Sequence, residues 1–192
     1  MADGRMAFLR EFARAPLDVG AVAPSGRELT AQAVRHVPRQ GDPLVVELGP
    51  GTGAFTTAIQ RRLGGRGRHL AVERNERFAG YVRERHPGVE VVTADARDLA
   101  QVLGGRRADA IVSGLPWSSF GAGTQRAILA AVAAGLTPGG TFTTFAYAYT
   151  RWTGPSRRFR RLIGDHFGEV AVGRTIWANL PPAYVYSGRR FS

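Results

Sequence analysis

The stretch Val45-Val46-Glu47-Leu48-Gly49-Pro50-Gly51-Thr52-Gly53 decides the fold of this chain, because a short β-branched run passes directly into a glycine-rich turn. Glycine lets the backbone adopt positive φ angles and pass close to a ligand. A helical pattern opens at Ala54 and would present free N-terminal amides at the end of the turn. Open α/β sheets bind their ligands at the carboxyl ends of strands. The stretch therefore predicts a nucleotide-binding turn in an α/β protein.

The spacing of the glycines argues against a phosphate-binding loop. The pattern is E-x-G-x-G-x-G, whereas a dinucleotide fold uses G-x-G-x-x-G and a P-loop ends in Lys followed by Ser or Thr. The stretch resembles motif I of class I S-adenosylmethionine (SAM) methyltransferases. That resemblance implies a cofactor whose amino-acid end lies over the glycines. The residues expected to form this part of the site are Glu47, Gly49, Pro50, Gly51, Thr52 and Gly53.

Two further acidic residues follow at the ends of the next two predicted strands. An acid about twenty residues past a glycine loop can accept hydrogen bonds from both ribose hydroxyls, and Glu73 falls at this distance from Gly53. The resemblance to class I methyltransferases places an acceptor for the adenine amino group at Asp95. With the neighbouring Arg74 and Ala96, these residues complete the predicted SAM site.

The composition is that of a globular protein with a basic surface. Of the 192 residues, 44% are hydrophobic and 21% are charged, and the absence of cysteine excludes disulfides and thiolate chemistry. The four histidines show no metal-ligand spacing, so no metal site is predicted. The 26 basic residues, all arginine, exceed the 15 acidic ones and give a net charge of +11. This balance favours an anionic partner, either nucleic acid or a phospholipid surface.

Strand and helix patterns alternate along the chain, which predicts a parallel sheet with helices on both faces. The predicted helices span residues 5–15, 28–36, 54–63, 75–85, 97–103, 123–135 and 155–166. The predicted strands span residues 44–48, 68–72, 89–93, 109–113, 140–148, 168–177 and 183–190. The last two strands have no helix between them and predict an antiparallel hairpin at one edge. The whole pattern suits the Rossmann-like class I methyltransferase fold, with a mostly parallel seven-stranded sheet.

We expect one domain over residues 1–192, with an N-terminal helical segment at 1–37 and a catalytic core at 38–192. Charged residues interrupt the apolar start of the chain, so no secretory signal is expected. The uncharged stretch 127–150 is divided at Pro138-Gly139-Gly140 into a helix and a strand. It is therefore not expected to span a membrane.

The segment Ser113-Gly114-Leu115-Pro116-Trp117 follows the fourth predicted strand and is the candidate methyl-acceptor site. It resembles the Asn/Asp-Pro-Pro-Tyr motif of amino-methylating enzymes and the Asn-Leu-Pro-Tyr motif of ribosomal RNA adenine dimethyltransferases. Here Ser113 stands in place of Asn, and Trp117 in place of Tyr. The carbonyls of Ser113 and Gly114 are expected to accept hydrogen bonds from an amine. Because a base nitrogen needs a stronger side-chain acceptor than serine, the segment favours an aliphatic amine, with Trp117 beside the cation that forms.

Segments 19–27 and 179–186, together with Ser-Gly-Leu-Pro, resemble bacterial phospholipid N-methyltransferases over nearly the whole chain. That resemblance implies stepwise methyl transfer from SAM to the nitrogen of phosphatidylethanolamine, with S-adenosylhomocysteine as product. It also implies a cytoplasmic enzyme held peripherally at the inner face of the cell membrane. Within the last segment Tyr184 is the first candidate for a substrate contact, with Tyr147 and Tyr149 as alternatives.

Two basic segments are candidates for contact with an anionic membrane. The helix at 5–15 places Phe8, Leu9 and Phe12 beside arginines, so it could lie in the membrane surface, cover the SAM pocket, or do both. A second basic run could bind lipid phosphate or form a solvated helix face. Its members are Arg151, Arg157, Arg158, Arg160 and Arg161.

Other acceptors stay open. The net charge and the Gly-Leu-Pro segment support a nucleic-acid adenine methyltransferase, whereas Ser113, Trp117 and the lack of an RNA-binding extension argue against it. A small-molecule methyltransferase of a biosynthetic pathway and a non-enzymatic SAM- or lipid-binding module are the remaining alternatives. The number of methyl groups added, the general base and the oligomeric state do not follow from the sequence.

Overall fold

The computed structural model describes residues 26–191, which form a seven-stranded sheet in the order β3-β2-β1-β4-β5-β7-β6. The strands are β1 (Leu44–Leu48), β2 (Arg68–Glu73), β3 (Glu90–Thr93), β4 (Ala108–Ser113), β5 (Leu136–Tyr147), β6 (Glu169–Val172) and β7 (Ala183–Arg189). Strands β1 to β5 are parallel, β7 is antiparallel to β5, and β6 is antiparallel to β7. The predicted sheet and its antiparallel edge are confirmed.

Helices cover both faces of the sheet. They are α1 (Arg27–Ala33), α2 (Ala54–Leu63), α3 (Glu76–Arg85), α4 (Leu99–Leu103), α5 (Ala122–Gly135) and α6 (Gly154–His166). Helices α1 and α2 pack on one face, and α4, α5 and α6 pack on the other. Short 3₁₀ turns follow three of the parallel strands, at Ala96–Asp98, Trp117–Ser119 and Ala148–Thr150.

The apolar spacing of α2 shows how the sequence fixes this arrangement. Phe55, Ile59 and Leu63 recur every four residues and are buried against the sheet. The helix begins after Gly53 and ends at Gly64, and both glycines adopt left-handed backbone conformations. All five residues of β1 are buried, as expected for a central parallel strand covered on both faces.

Strand β5 begins at Leu136, four residues before the predicted strand at 140–148. Leu136 pairs with Ala108 and Thr141 pairs with Ala110, so residues 137–140 form a bulge between two paired positions. The predicted turn at Pro138–Gly140 is thus contained within the strand as an irregularity.

Strand β6 ends at Val172, although the sequence predicts a strand to residue 177. The following segment forms a loop tied back by one bridge, between Ile176 and Ala183. Pro181 and Pro182 lack the N–H groups that a continuous ladder requires, which explains why the loop runs up to β7.

The predicted helix at 5–15 and most of segment 19–27 lie outside the described residues. In the described part of the predicted N-terminal segment, Leu29 and Ala33 of α1 are buried in the sheet core, and the Ala33 carbonyl accepts a hydrogen bond from Thr143. Over residues 26–191, no helix is long and apolar enough to cross a membrane. In the same range, no three His, Cys, Asp or Glu side chains are grouped to hold a metal ion.

Candidate active site

A turn with three left-handed glycines connects β1 to α2. Gly49, Gly51 and Gly53 have φ angles of 71°, 53° and 83°, which residues with a Cβ rarely adopt. The Gly49 amide donates to the Val72 carbonyl at 2.9 Å and ties the turn to β2. A Cβ added to Gly51 would meet no atom within 4 Å. The turn therefore leaves open space beside Gly51.

A second turn, after β4, packs directly against the first. The Gly114 amide donates to the Leu48 carbonyl at 2.8 Å. A Cβ on Gly114 would lie 2.5 Å from the Gly49 carbonyl oxygen, so this close approach requires glycine. Strand β1 lies between β2 and β4, where the strand order reverses. Open α/β sheets bind ligands at such a switch point.

Glu73 joins the glycine turn to the end of β2. Its Oε2 accepts a hydrogen bond from the Gly51 amide at 3.2 Å, and its Oε1 accepts one from the Asn75 amide at 2.9 Å. Burial raises the pKa of Glu73, although these backbone hydrogen bonds oppose the shift. A carboxylate has about four acceptor positions, which is more than the backbone amides of Gly51, Arg74 and Asn75 occupy. Glu73 can thus hold the turn and also accept hydrogen bonds from a ligand.

Asp95 follows β3 and is held by one arginine. Its Oδ1 accepts hydrogen bonds from the amide and Nε of Arg97, and its Oδ2 accepts one from Nη2 of Arg97, each at 2.9 Å. These hydrogen bonds lower the pKa of Asp95. Asp95 is therefore a fixed, ionised acceptor.

The two acids and both turns border one cleft of about 280 Å³, which we call the cofactor cleft. Its lining residues are Gly49, Val72, Glu73, Arg74, Ala94, Asp95, Ala96, Arg97, Leu115, Pro116, Phe120, Thr124 and Ile128. The predicted cofactor residues within this lining are Gly49, Glu73, Arg74, Asp95 and Ala96. The predicted residues that shape the adjoining turn without lining the cleft are Pro50, Gly51, Thr52 and Gly53.

A smaller cavity adjoins the cofactor cleft, and we call it the acceptor pocket. Its lining residues are Leu115, Pro116, Trp117, Ser118, Phe145, Ala146, Tyr147, Ser156, Phe159 and Tyr186. Leu115 and Pro116 line both cavities and so form the wall between them. The volume is about 20 Å³, on a scale where one water molecule needs roughly 10–15 Å³. The acceptor pocket has room for a group of a few atoms.

Comparison with known proteins identifies the family. Residues 45–140 match the family described as a methyltransferase domain. The ornithine lipid N-methyltransferase of Singulisphaera acidiphila is 37% identical over 188 residues, which cover 93% of this chain and 92% of that protein. The chain belongs to the class I SAM-dependent methyltransferases. Its predicted resemblance to lipid N-methyltransferases is confirmed by this nearly full-length relative.

Two other comparisons show how far the likeness extends. The ribosomal RNA small subunit methyltransferase A of Rhodopseudomonas palustris is 42% identical over 96 residues, but these cover only 47% of this methyltransferase and 32% of that protein. The structure of an O-methyltransferase from Bacillus cereus in complex with S-adenosylhomocysteine superposes with a TM-score of 0.68. It shares 19% identity and covers 98% of this chain and 91% of that one, which establishes the shared fold.

Glu47, predicted as a cofactor residue of the methyltransferase, lies near the end of β1. It is fully buried and does not line the cofactor cleft. Its Oε2 accepts a hydrogen bond from Thr56 Oγ1 at 2.8 Å and lies 3.2 Å from His69 Nε2. Because side chains alternate along a strand, Glu47 faces the same side of the sheet as Val45, where α2 packs. Glu47 therefore anchors α2 beneath the glycine turn.

Ser113, predicted to hold the acceptor amine, is fully buried and hydrogen-bonded within the protein. Its carbonyl, predicted to bind the acceptor amine, accepts a hydrogen bond from Thr144 Oγ1 at 3.0 Å. Its hydroxyl oxygen accepts hydrogen bonds from the Leu115 amide and the Trp117 indole nitrogen, each at 3.2 Å. The polar atoms of Ser113 thus hold the turn in shape. The predicted contact between an amine and the Gly114 carbonyl stays a prediction.

Trp117 is packed into the core as well as lining the acceptor pocket. Its indole nitrogen donates to Thr144 Oγ1 at 2.9 Å. Its ring stacks on Phe159, with the centroids 4.5 Å apart and an interplanar angle of 29°. One π face is therefore covered by a protein ring. Any contact with a cation must use the part of the ring that borders the acceptor pocket.

Tyr184, the first candidate for a substrate contact, lies behind the acceptor pocket. It is buried, and its hydroxyl is 3.3 Å from that of Tyr186. Tyr186, two residues along β7 and on the same face, is the tyrosine that lines the acceptor pocket. Burial and the hydrogen bond with Tyr184 raise the pKa of Tyr186, so its phenol is protonated at neutral pH.

Several lining residues of the acceptor pocket were not predicted from the sequence. Thr153 caps α6, and its Oγ1 accepts a hydrogen bond from the Ser156 amide at 3.4 Å. This places Ser156 and Phe159 on the buried face of α6. The sequence does show that apolar residues recur at helical spacing in α6 and that tyrosines occupy alternate positions in β7. Neither pattern shows that these residues meet at the turn after β4.

Proposed function

We propose that this methyltransferase transfers methyl groups from SAM to the amine of a membrane lipid headgroup, with phosphatidylethanolamine and its partly methylated forms as the expected acceptors. The observation that carries this proposal is the small aromatic acceptor pocket, which meets the cofactor cleft at Leu115 and Pro116. The product from the cofactor would be S-adenosylhomocysteine, and the reaction would take place at the inner face of the cell membrane.

The cofactor cleft suits SAM in three parts. Glu73, which keeps acceptor capacity beyond its backbone hydrogen bonds, would accept hydrogen bonds from the ribose hydroxyls. Asp95 and the following Ala96 would receive the adenine edge at the end of β3. The open face beside Gly51 would take the amino-acid end of the cofactor. Residues Leu115 and Pro116, which line both cavities, would then lie between the cofactor and the methyl acceptor.

The acceptor pocket suits an aliphatic amine and its methylated cations. Its space of about 20 Å³ fits an ammonium-sized group, and its lining includes the rings of Trp117, Tyr147 and Tyr186. SAM, when bound, would supply the methyl group: the amine lone pair would form the bond to the methyl carbon, and sulfur would keep the electron pair of the broken carbon–sulfur bond. The alkylated ammonium then releases a proton to water before the next transfer. The protein contributes chiefly by aligning donor and acceptor.

The nearly full-length relative is named as an ornithine lipid N-methyltransferase, which supports a lipid amine as the acceptor. Ornithine lipids and phosphatidylethanolamine both carry an unhindered primary amine on a short chain. The acceptor pocket surrounds only the reacting group, so its size is compatible with either headgroup. Ornithine lipid is therefore the second acceptor to test.

Adenine in RNA is less well supported. The ribosomal RNA methyltransferase relative is matched over only 32% of its length. Ser113, which stands at the place of the motif's asparagine, already uses its hydroxyl oxygen and carbonyl within the turn. The acceptor pocket also has too little space for a purine. These observations favour a lipid amine over RNA adenine as the acceptor.

The decisive experiment supplies isotopically labelled SAM with four acceptors in parallel. These are vesicles with phosphatidylethanolamine, vesicles with ornithine lipid, 16S ribosomal RNA, and soluble amines such as ethanolamine. We expect transfer to one or both lipids, identified by mass spectrometry. Transfer to RNA or to ethanolamine alone, with neither lipid labelled, would overturn the proposal. A Glu73→Gln variant controls for label that does not depend on the cofactor cleft.

A further inference from the structure

Four large apolar side chains stand in solvent beside the acceptor pocket. Tyr149, Trp152, Trp177 and Leu180 are between 64% and 76% exposed. We call these four residues the acceptor rim. Single exposed apolar residues are common, but a group of large ones at one edge indicates an interaction surface.

The sheet brings the two halves of the acceptor rim together. Tyr147 at the end of β5 pairs with Ala183 at the start of β7, so the segments 148–152 and 176–182 leave the same edge of the sheet. The Ala148 amide donates to the Pro182 carbonyl at 2.7 Å, which joins the two segments. This is also the edge where the cofactor cleft opens, because β5 runs parallel to β1 and β4.

The acceptor rim is continuous with the acceptor pocket. The ring of Tyr149 stacks on that of Tyr147, with centroids 5.7 Å apart and an interplanar angle of 14°. Tyr147 in turn lines the acceptor pocket. A molecule held against the acceptor rim would therefore lie beside the place where methyl transfer is proposed.

The exposed side chains stand on backbone that is firmly held. Asn179 is buried, its Oδ1 accepts a hydrogen bond from the Gly26 amide at 2.8 Å, and its Nδ2 donates to the Pro181 carbonyl at 2.6 Å. These bonds fix the loop that carries Trp177 and Leu180. The apolar side chains are thus presented to solvent by an ordered loop.

Positive charge adjoins these apolar side chains. The guanidinium of Arg151 lies 5.8 Å from the ring centroid of Trp152. At the start of α6, directly after the rim, Arg157, Arg160 and Arg161 line an open basic surface with Gly154. Such aromatic and leucine side chains beside arginines are favoured at the boundary between lipid chains and anionic headgroups.

We propose that the acceptor rim inserts into the headgroup region of an anionic bilayer and faces the acceptor pocket toward the lipids. This inference rests on the proposed function, because it supplies the route by which a lipid amine reaches the acceptor pocket. The occupant is a bilayer rather than a protein, because exposed aromatic and leucine side chains stand beside arginines of α6 that line one open surface. The adjoining arginines would contact lipid phosphates while the rim residues lie among the headgroups.

The tryptophans of the chain provide a direct test. The protein has three, and Trp117 is buried whereas Trp152 and Trp177 are exposed. The full chain is titrated with vesicles of phosphatidylcholine and phosphatidylglycerol, which contain no amine acceptor for methylation. We expect the fluorescence of Trp152 and Trp177 to shift to shorter wavelength and to be quenched by brominated acyl chains. In Trp152→Phe/Trp177→Phe, which leaves Trp117 alone, both changes should disappear.

A binding measurement with a matched control completes the test. Vesicle sedimentation of Trp152→Ala/Trp177→Ala should fall by about tenfold or more relative to the wild type. Phe191 is 64% exposed but follows the opposite end of β7, so Phe191→Ala should sediment as the wild type does. Unchanged sedimentation of the double variant, an equal loss in Phe191→Ala, or no change in tryptophan emission on vesicles would each overturn the proposal.

The outcome is distinguishable from failure of the proposed function. Methylation of a short-chain phosphatidylethanolamine below its micelle concentration requires no bilayer. If the wild type fails to methylate that soluble lipid and long-chain lipids alike, the proposed function fails, while the vesicle measurements still decide the role of the acceptor rim. If the function holds and the rim acts as proposed, Trp152→Ala/Trp177→Ala should keep activity on the soluble lipid and lose it on vesicles.

Discussion

The cofactor cleft and the acceptor pocket share a wall but are built in different ways. The cofactor cleft is formed by backbone turns and acids at the ends of neighbouring parallel strands. The acceptor pocket is formed by the turn after β4 together with side chains from β5, α6 and β7, so it joins parts of the chain that are distant in the sequence. The cofactor cleft therefore depends on where the chain turns, whereas the acceptor pocket depends on which side chains the completed fold brings together.

This difference has a consequence for how the methyltransferase tolerates change. A backbone change in either turn should affect both cavities, because Gly49 and Gly114 are in contact and Leu115 and Pro116 line both sides. A side-chain change on β7 should alter the acceptor pocket alone. Mutations should therefore be able to change one cavity without the other.

The largest effect is expected from Gly114→Ala. The new Cβ would lie 2.5 Å from the Gly49 carbonyl oxygen, a backbone atom that cannot rotate away. We expect the free energy of unfolding to fall by about 3 kcal/mol, at the upper end for overpacking, and SAM binding to be lost with it. Urea denaturation and calorimetry measure the two effects.

The control for this variant is Gly80→Ala, at a helical position where a Cβ would meet nothing within 4 Å. It should raise stability by about 0.5–1 kcal/mol, because glycine weakens a helix interior. A Gly114→Ala protein that is as stable as the wild type and binds SAM normally would show that the two turns are not coupled.

Glu73→Gln is expected to have the next largest effect. The glutamine amide can offer an acceptor oxygen to only one of the Gly51 and Asn75 amides, and its NH₂ group would face the other. We expect SAM affinity to fall by about 2 kcal/mol, as for loss of a charged hydrogen-bond partner. Calorimetric titration with SAM measures this directly, and unchanged affinity in a folded variant would remove Glu73 from the ribose site.

The pH dependence of SAM binding should reveal the same carboxylate. The raised pKa of Glu73 means that it becomes protonated at a higher pH than an ordinary glutamate. Because the ionised form would accept the ribose hydroxyls, SAM affinity should be constant above this pKa and should fall as the pH decreases through it. Asp95, with its lowered pKa, stays ionised in that range. Glu73→Gln should lack the step; a step that persists in the variant would belong to another group.

Much of the cofactor cleft could be predicted from the sequence because its determinants are local. A positive φ angle at three glycines and acids at two strand ends are properties of short segments. The boundaries of α2 and β1 follow from the same signals. Such local signals do not show which face of β1 Glu47 occupies, because that depends on the packing of α2 against the sheet.

The acceptor pocket could be predicted only in part because its determinants are not local. The turn from Ser113 to Trp117 was found, but whether its carbonyls are available depends on Thr144 in the neighbouring strand. Phe159 and Tyr186 reach the acceptor pocket only through the packing of α6 and the pairing of β7 with β5. Those contacts are a property of the completed fold.

A smaller effect is expected from Gly51→Ala, with Gly104→Ala as its control. The two glycines have φ angles of 53° and 56°, and a Cβ on either would meet nothing within 4 Å. Both variants should therefore lose about 1–2 kcal/mol of stability from left-handed strain. Only Gly51→Ala should also weaken SAM binding, because only Gly51 adjoins the cofactor cleft. Equal SAM affinities in the two variants would place the cofactor elsewhere.

The smallest effect, and the sharpest test of the separation between the cavities, comes from the tyrosine pair on β7. Tyr184→Phe and Tyr186→Phe each remove one member of the same hydroxyl contact, so their effects on stability should be similar, at about 1 kcal/mol. Only Tyr186 lines the acceptor pocket. We therefore expect Tyr186→Phe to slow methyl transfer several-fold with unchanged SAM affinity, and Tyr184→Phe to leave the rate near that of the wild type. Steady-state rates on lipid vesicles and calorimetry with SAM distinguish these outcomes.

If Tyr184→Phe alone slows the reaction, Tyr184 is the substrate contact, as the sequence predicts. If both variants lower SAM affinity, the two cavities are not independent. A change in the acceptor pocket then alters the cofactor cleft through Leu115 and Pro116, which line both.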